Sequence, residues 1–460
     1  MRYVAAACAL LFTISWTSHA DIVPPQIQGL PAKIVAETVV NHATERRGFV
    51  TVPIDYDDPH SATIQVFYRW IPSTGAANAP TLIYINGGPG YPSSYIRALD
   101  YDYVARPTDA LTELLELFNV VLVDQRGTDG NSFPLEQTSP LLEQEAIARY
   151  LHSDFLALDH AAVGETLMAE GLLDPLRYYV FGHSFGSSVA SNFIRLQGEG
   201  KISLRPTGFI LSAGASLENS GILTWAGARP VQQKIGQELV EWARQSGRGL
   251  PIHRLMDDMR DYLTEARMSP DVAHFLYADL MSDDFPSFYK AARKMRDEFS
   301  EREVVEEYIR TQTDCFNYLA HVLNVQSSNE GLLNGEVLQY ADQMHPQPFW
   351  IIDPIRAWAF EERYVPHRYQ ELVRLQRSGR MYFPKHASAR QIQDLVRSGT
   401  RLLFHYGRRD IVAGAESAES FLRESLGKDL ARDTVALTEG GHRDIRSRRG
   451  VELIRRHFGL

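Results

Sequence analysis

Three side chains in this chain are of the types that acyl transfer requires: Ser184, Asp410 and His442. A serine hydroxyl is a weak nucleophile until a neutral imidazole takes its proton. A carboxylate then fixes the tautomer of that imidazole and stabilises the imidazolium that forms. The three residues therefore predict a catalytic triad in which Ser184 attacks a carbonyl carbon.

The predicted nucleophile lies in the pentapeptide 182–186, Gly-His-Ser-Phe-Gly. An apolar run, 178–181, precedes it and a helical pattern, 187–194, follows it, so we expect a strand that turns sharply into a helix at Ser184. Glycines on both sides permit this turn, because a side chain there would crowd the neighbouring strand and helix. The helix N-terminus would favour negative charge at the serine. A plain Gly/Ser turn is the alternative, since roughly 0.15 such pentapeptides are expected by chance in a chain of this length.

The two partner residues also follow predicted strands. Asp410 comes soon after the apolar run 400–406, and His442 comes soon after the run 433–437. Taken singly, each could be a solvated loop acid or a surface histidine. Open α/β sheets place their chemistry beyond the carboxyl ends of strands. The chain order Ser, Asp, His is that of α/β-hydrolases, and this joint pattern favours the triad.

The oxyanion of a tetrahedral intermediate needs preorganised N–H donors. One predicted donor is the backbone N–H of Phe185, directly after the nucleophile. The other belongs to the segment 86–90, Asn-Gly-Gly-Pro-Gly, which follows the apolar run 81–85. Gly88 is the expected second donor, with Gly87 beside it.

Short apolar runs separated by helical patterns predict a mostly parallel sheet with helices on both faces, which is an α/β-hydrolase fold. A β-hairpin is expected over 48–71. From 217 to 397 the chain shows helical patterns without convincing buried strands, which predicts a helical cap domain inserted into the sheet domain. The expected domains are the first part of the core, 21–216, the cap, 217–397, and the second part of the core, 398–460. The helical patterns expected in the cap are 231–245, 254–266, 286–298 and 301–325.

The N-terminus has the pattern of a secretory signal peptide. A short basic start is followed by an apolar stretch, 4–14, and by a small-x-small site at Ser18–Ala20. We expect cleavage after Ala20 and export to a periplasm or to the medium. A membrane anchor is disfavoured because the apolar run is too short to span a bilayer.

Composition excludes several other classes of function. Cleavage after residue 20 would remove Arg2 and no acid, which takes the formal charge from −10 to −11. Nucleic-acid binding is disfavoured, because neutralising phosphates requires clustered Lys and Arg. No His/Cys cluster has metal-ligand spacing, so neither a metal nor another cofactor is expected.

Cleavage of the signal peptide would also remove Cys8 and leave Cys315 as the one cysteine, which excludes an intramolecular disulfide.

Three segments carry a resemblance to a known family: 86–90, 124–127 (Asp-Gln-Arg-Gly) and 407–410 (Gly-Arg-Arg-Asp). They resemble the signatures of the proline iminopeptidase (prolyl aminopeptidase) family of α/β-hydrolases. The segment 52–59 resembles the N-terminal hairpin of exported relatives, including tripeptidyl aminopeptidases. The resemblance implies a serine peptidase that removes N-terminal residues from peptides. Asp124 and Arg126 are expected to brace the oxyanion loop through a charge-assisted hydrogen bond.

The chain differs from that family at four positions and in the size of its cap. Asn86 stands where the family usually has His, and Phe185 replaces the usual Trp. His183 precedes the serine, as in many esterases, where the family has Gly. Asp129 is an additional residue after the 124–127 segment, and the cap is larger than in the compact single-proline enzymes.

An aminopeptidase must hold a substrate ammonium, and carboxylates do so. In the resembled family cap glutamates have this role, and the segment 359–365 loosely resembles one of those sites. Glu361 and Glu362 are therefore the candidate amine-binding residues. The alternative is a solvated helix face on which they pair with Arg363.

The sequence thus predicts an exported serine aminopeptidase, of proline or tripeptidyl type, that works through an acyl-enzyme. Its substrate would be a small peptide, or an ester if the protein is a carboxylesterase of the same fold. A non-catalytic binding protein that retains the fold is the third hypothesis. The sequence indicates no cofactor, no nucleic-acid partner and no membrane span in the mature chain, and leaves the oligomeric state open.

Overall fold

In the described residues nine strands form one sheet: β1 (Lys33–Val40), β2 (Ala43–Pro53), β3 (Thr63–Ile71), β4 (Thr81–Ile85), β5 (Asn119–Val123), β6 (Tyr178–His183), β7 (Gly208–Ser212), β8 (Arg401–Gly407) and β9 (Val435–Thr438). Their order in the sheet is β1-β2-β3-β5-β4-β6-β7-β8-β9. The first three strands and β5 pair in antiparallel fashion, and β5, β4, β6, β7, β8 and β9 run parallel. The computed structural model describes residues 33–40, 43–87, 111–126, 150, 152–214, 216–218, 220–248, 285–286, 289 and 386–460.

The helices are α1 (Thr112–Leu115), α2 (Ser153–Ala169), α3 (Phe185–Gly198), α4 (Ser220–Gln245), α5 (Ala389–Arg397), α6 (Ala415–Leu426), α7 (Lys428–Thr434) and α8 (Arg448–Phe458).

The central strands are buried on both faces because their residues alternate between two apolar layers. Ile83 and Ile85 of β4 belong to a cluster that includes residues of α2, α3, α5 and α6. Leu82 and Tyr84 of the same strand belong to a second cluster, with residues of α1 and α8. Such strands read as continuous apolar runs in the sequence. The predicted parallel sheet with helices on both faces is confirmed.

The predicted hairpin is also confirmed, since β2 and β3 pair from Pro53–Thr63 to Arg46–Trp70. Its turn uses side-chain oxygens of aspartates. Asp55 Oδ1 accepts a hydrogen bond from the N–H of Asp57 at 2.9 Å, a local bond that favours turns over strands. The hairpin is extended by β1, which pairs with β2 and which the sequence did not predict.

The last predicted strand, 433–437, begins later than expected. Helix α7 continues to Thr434, so β9 starts at Val435. Strand β9 pairs with β8 over four residues, from Phe404–Val435 to Gly407–Thr438. This pairing brings the chain that leads to His442 beside the chain that leads to Asp410.

Part of the predicted cap segment is described. Helix α4 includes the expected 231–245 pattern and starts at Ser220, while the patterns at 254–266 and 301–325 and most of 286–298 lie outside the described residues. Arg409 donates to Glu238 of α4 at 2.5 Å, next to Asp410. The domain boundaries at 216 and 397 remain a prediction.

Within the described part of the chain, no helix is both long enough and apolar enough to cross a bilayer.

Candidate active site

Ser184 occupies a sharp turn between β6 and α3. Its backbone has φ 55° and ψ −124°, a conformation that L-residues rarely adopt. The turn brings Gly182 against Gly186 so closely that a Cβ at Gly182 would be 2.1 Å from the carbonyl oxygen of Gly186. A Cβ at Gly186 would be 2.1 Å from the carbonyl oxygen of Ile85. The two glycines of the pentapeptide are therefore required by close backbone contacts.

The neighbouring strand β7 holds this turn in place. The N–H of Ser184 donates to the carbonyl of Ser212 at 2.7 Å. Ser187 Oγ lies 2.7 Å from the same carbonyl and 3.0 Å from the carbonyl of Gly182. A rare backbone conformation persists when its surroundings determine it from several sides. Ser187 and Ser212, which the sequence analysis did not single out, provide this support.

His442 and Asp410 are in direct contact. His442 Nδ1 lies 2.8 Å from Asp410 Oδ2, and both side chains are buried, with 5% and 0% of their surface exposed. Asp410 Oδ1 accepts hydrogen bonds from the N–H groups of Val412, at 2.7 Å, and Ala413, at 2.9 Å. Because a carboxylate can only accept hydrogen bonds, His442 Nδ1 is the donor in this contact. Nε2 lies on the opposite edge of the imidazole.

His183, the second residue of the pentapeptide 182–186, contacts His442. The rings of His183 and His442 have centroids 5.0 Å apart, and His183 Nε2 donates to the carbonyl oxygen of His442 at 2.9 Å. Ser184 is the next residue along the chain. The structure thus assembles the Asp410–His442 pair beside the residue that precedes Ser184, at the carboxyl ends of β6, β8 and β9.

The predicted oxyanion donors are described in part. Phe185 is the first residue of α3, and the first N–H groups of a helix have no partner in its own hydrogen-bond ladder. Gly87 packs on Ser184, since a Cβ there would be 2.7 Å from Ser184 Cβ and 2.9 Å from the carbonyl oxygen of His183. Gly88 lies outside the described residues.

Arg126 was expected to bond to the oxyanion loop, but the structure shows other partners for it. Its guanidinium binds both carboxylate oxygens of Asp159 at 2.7 Å and donates to the carbonyl of Ile54 at 2.7 Å. Arg126 therefore joins the hairpin to α2, which is a structural role but not a brace on the oxyanion loop. Gln125 contacts the described start of that loop, by a long 3.5 Å bond from Nε2 to the carbonyl of Asn86.

A further buried histidine, His405 on β8, connects three strands near the site. His405 Nδ1 lies 2.9 Å from Ser212 Oγ of β7, and Nε2 lies 2.9 Å from Thr438 Oγ1 of β9. Burial lowers the pKa of His405 to about 4, and the nearby carboxylates of Asp444 and Asp410 only partly oppose this effect. A neutral His405 therefore bonds the strands that support Ser184 and His442.

Glu361 and Glu362, with the rest of the segment 359–365, lie outside the described residues. In the part of the chain that the structure describes, no group of three or more His, Cys, Asp or Glu side chains could hold a metal ion.

The strand order, the parallel strands with helices on both faces and the serine at a strand–helix turn define the α/β-hydrolase fold. No protein-family model matches the chain, and no curated protein matches it in sequence. The assignment of the fold rests on the topology of the sheet and on the Ser184 turn.

Solved structures similar to this chain include enzymes with several activities. A meta-cleavage product hydrolase from Pseudomonas fluorescens is 12% identical, with 93% of this chain and 98% of that chain covered and a TM-score of 0.37. An esterase from Rhodococcus is 14% identical, with 86% and 95% covered and a TM-score of 0.37. A proline iminopeptidase from Mycobacterium smegmatis is 12% identical, with 89% and 98% covered and a TM-score of 0.36.

Proposed function

We propose that this chain is a serine hydrolase that forms an acyl-enzyme on Ser184, with His442 as general base and Asp410 as the residue that orients it. The observation that carries the proposal is the 2.8 Å contact between His442 Nδ1 and Asp410 Oδ2. Ser184 supports it, because its positive φ in a turn between a strand and a helix is the geometry that exposes a nucleophilic hydroxyl.

In the proposed reaction, Asp410 keeps the proton of His442 on Nδ1, so Nε2 is free to accept the proton of Ser184 Oγ. Oγ then bonds to the substrate carbonyl carbon, and the carbonyl oxygen becomes an oxyanion. The imidazolium of His442 is stabilised by the adjacent carboxylate. His442 returns the proton to the leaving amine or alcohol as the bond to it breaks, and water releases the acyl group by the same steps.

The oxyanion would be stabilised at the N-terminus of α3. The N–H of Phe185 is the proposed donor there, and the partial positive charge of the helix N-terminus adds to its effect. The second donor would come from the segment that follows β4, where Gly87 already packs on Ser184. Gly88 is the candidate for that second N–H.

We further propose peptides with a free N-terminus as the substrate class, with removal of one or a few residues. The resemblance of segments 86–90 and 407–410 to proline iminopeptidases and related tripeptidyl enzymes supports this choice. Glu361 and Glu362 are the proposed ammonium ligands, within a proposed helical cap over 217–397. A carboxylesterase is the second candidate, favoured by His183 before the nucleophile.

Covalent labelling tests the nucleophile. A fluorophosphonate should label the wild-type protein and fail to label Ser184→Ala, while thermal unfolding of the two proteins stays similar. Ser398→Ala, which changes an exposed residue at the end of α5 whose hydroxyl donates to the carbonyl of Leu395, is the matched control and should label normally. Labelling of Ser184→Ala at the wild-type rate would overturn the proposed acyl-enzyme.

Matched substrates separate the two candidate functions. Aminoacyl and tripeptidyl fluorogenic amides, each with a free and an N-acetylated amine, should be cleaved only in the free form by an aminopeptidase. Equal cleavage of both forms would exclude recognition of the amine. Rapid turnover of p-nitrophenyl esters without amide cleavage would support the carboxylesterase.

We also propose that residues 1–20 are a signal peptide and that the mature protein is exported. The basic start, the apolar stretch 4–14 and the small residues before Asp21 support this proposal. The intact mass of the protein recovered from its native host tests it. A mature chain that begins at Asp21 is expected, and a chain that retains residues 1–20 in the cytoplasmic fraction would contradict it.

A further inference from the structure

His183 makes a contact across the chain that the proposed reaction does not use. It is the last residue of β6, only 4% of its surface is exposed, and its Nε2–H donates to the backbone carbonyl of His442 at 2.9 Å. The bond joins residues that are 259 positions apart in the sequence. It therefore holds the backbone of one proposed triad residue against the neighbour of another.

The backbone of His442 benefits from such an attachment because of where it lies. It stands between the end of β9 at Thr438 and a short 3-10 turn, Asp444–Arg446, and it follows two consecutive glycines. Glycine has the largest backbone freedom of any residue. The carbonyls of Gly440 and Gly441 accept from the N–H groups of Arg409, at 3.0 Å, and Asp444, at 3.1 Å, and the bond from His183 adds a contact at the carbonyl of His442 itself.

His442 is held by two contacts, one on its imidazole ring and one on its backbone. Asp410 binds the ring at Nδ1 and sets which ring edge faces the carboxylate. His183 binds the backbone carbonyl and packs its own ring 5.0 Å from the ring of His442. One contact orients the imidazole, and the other fixes the point from which the side chain extends.

The chemistry of His183 suits this task. Burial lowers its pKa well below the ordinary histidine value, and the positive charge of Arg446 lowers the pKa further. A neutral ring with its proton on Nε2 donates to the carbonyl without placing a second cation beside the imidazolium of His442. The unprotonated Nδ1 lies toward Gly87, where a Cβ would be 3.3 Å away.

We propose that His183 is a positioning residue of the acyl-transfer site, whose Nε2–H holds the backbone of His442 so that its imidazole faces Ser184. This inference rests on the proposed function, since it assigns His183 a part in the same site. It predicts that the hydrogen-bond donor at the Nε2 position matters, rather than the bulk of the imidazole.

Two substitutions separate the donor from the bulk. The amide nitrogen of His183→Gln extends about as far as Nε2, whereas that of His183→Asn extends only as far as Nδ1. Because small misplacements of a catalytic group are costly, kcat of His183→Asn on a p-nitrophenyl ester should fall about 10²-fold. KM should change much less, and His183→Gln should recover most of the lost kcat.

A spectroscopic measurement reads the same contact without turnover. The proton between His442 Nδ1 and Asp410 should give a low-field NMR resonance, assigned by its loss in Asp410→Asn. We expect the resonance to broaden or shift in His183→Asn and to remain in His183→Gln. His386→Asn is the control, because His386 is also buried but bonds away from this site, near Leu217 and Arg195.

The possible outcomes distinguish the two proposals. Wild-type kcat and an unchanged low-field resonance in His183→Asn would overturn the positioning role, even if fluorophosphonate labels Ser184. Equal losses in the Asn and Gln variants, with the resonance disturbed in both, would also overturn it. If the wild-type protein neither labels nor turns over any ester or amide, the proposed function fails. The resonance in the two variants then still decides whether His183 positions His442.

Discussion

Asp410 provides a direct test of how His442 is oriented, because its two carboxylate oxygens have different partners. Oδ1 accepts from the N–H groups of Val412 and Ala413, and Oδ2 accepts from His442 Nδ1. In Asp410→Asn the amide must place its oxygen toward the two backbone donors, since an NH2 group there would leave both N–H groups without an acceptor. The amide nitrogen then faces His442.

This placement forces the wrong tautomer of the imidazole. The NH2 of Asn can only donate to His442 Nδ1, so the ring proton moves to Nε2, the atom that accepts the proton of Ser184 in the proposed reaction. Loss of the orienting carboxylate in a Ser-His-Asp triad lowers kcat by about 10⁴-fold. The folded structure should remain, because the side chain keeps its volume and its two backbone hydrogen bonds.

The assay is kcat for a p-nitrophenyl ester, with the urea midpoint of unfolding measured on the same samples. Asp429→Asn is the matched control, because Asp429 is exposed in α7 and pairs with Arg432 on the surface. It should keep wild-type kcat. A kcat for Asp410→Asn within about tenfold of the wild type, well short of the loss expected for a triad, would refute the proposed role of Asp410.

Two further predictions concern residues around the triad. Gly87→Ala should lower kcat about 10²-fold, because its Cβ would lie 2.7 Å from Ser184 Cβ and must displace the nucleophile. His405→Gln should weaken the pH dependence of stability. The pKa of His405 is about 4 in the folded protein and ~6.5 in the unfolded chain, so the unfolded state binds more protons and folded-state stability is lost as pH falls from ~6.5 toward ~4. Between pH ~7.5 and ~5 the wild-type free energy of unfolding should fall by about 2 kcal/mol more than that of the variant in urea melts.

Each of these predictions has a matched control. Gly198→Ala, at the end of α3, adds a Cβ at ordinary contact distance, 3.5 Å from Gln391, and should leave kcat unchanged. His60→Gln removes an exposed histidine in the hairpin turn and should leave the pH dependence as in the wild type. Wild-type kcat in Gly87→Ala, or identical pH profiles for wild type and His405→Gln, would contradict the respective argument.

The central strands could be predicted from the sequence with accurate bounds. The run expected at 81–85 is β4 residue for residue, and the run expected at 400–406 differs from β8 by one residue at each end. Strands buried on both faces contain little besides apolar residues, so their ends coincide with the ends of the apolar run. The sites that follow those strands could be inferred for the same reason, because parallel strands bring their carboxyl ends to one edge.

Contacts between distant residues could not be predicted in the same way. Arg126 pairs with Asp159 of α2 rather than with the oxyanion loop, and His183 bonds the carbonyl of His442. Neither pair has a spacing that recurs in sequences, since tertiary packing alone brings the partners together. Strand β1 was missed because it lies at the edge of the sheet and depends on β2 for its pairing.

The Ser184 turn shows why the pentapeptide alone is a weak signal. In the register of β6 and β7, the last residues, His183 and Ser212, are paired. The residue that follows each strand has a positive φ, 55° at Ser184 and 59° at Ala213. Such conformations cost about 1–3 kcal/mol each and persist only where neighbours determine them. Here the carbonyl of Ser212 accepts the N–H of Ser184, and the N–H of Ala213 donates to the carbonyl of His405. The geometry of the Ser184 turn is therefore a property of three adjacent strands, so a glycine-flanked serine becomes a specific signal only when the neighbouring strands end in register with it.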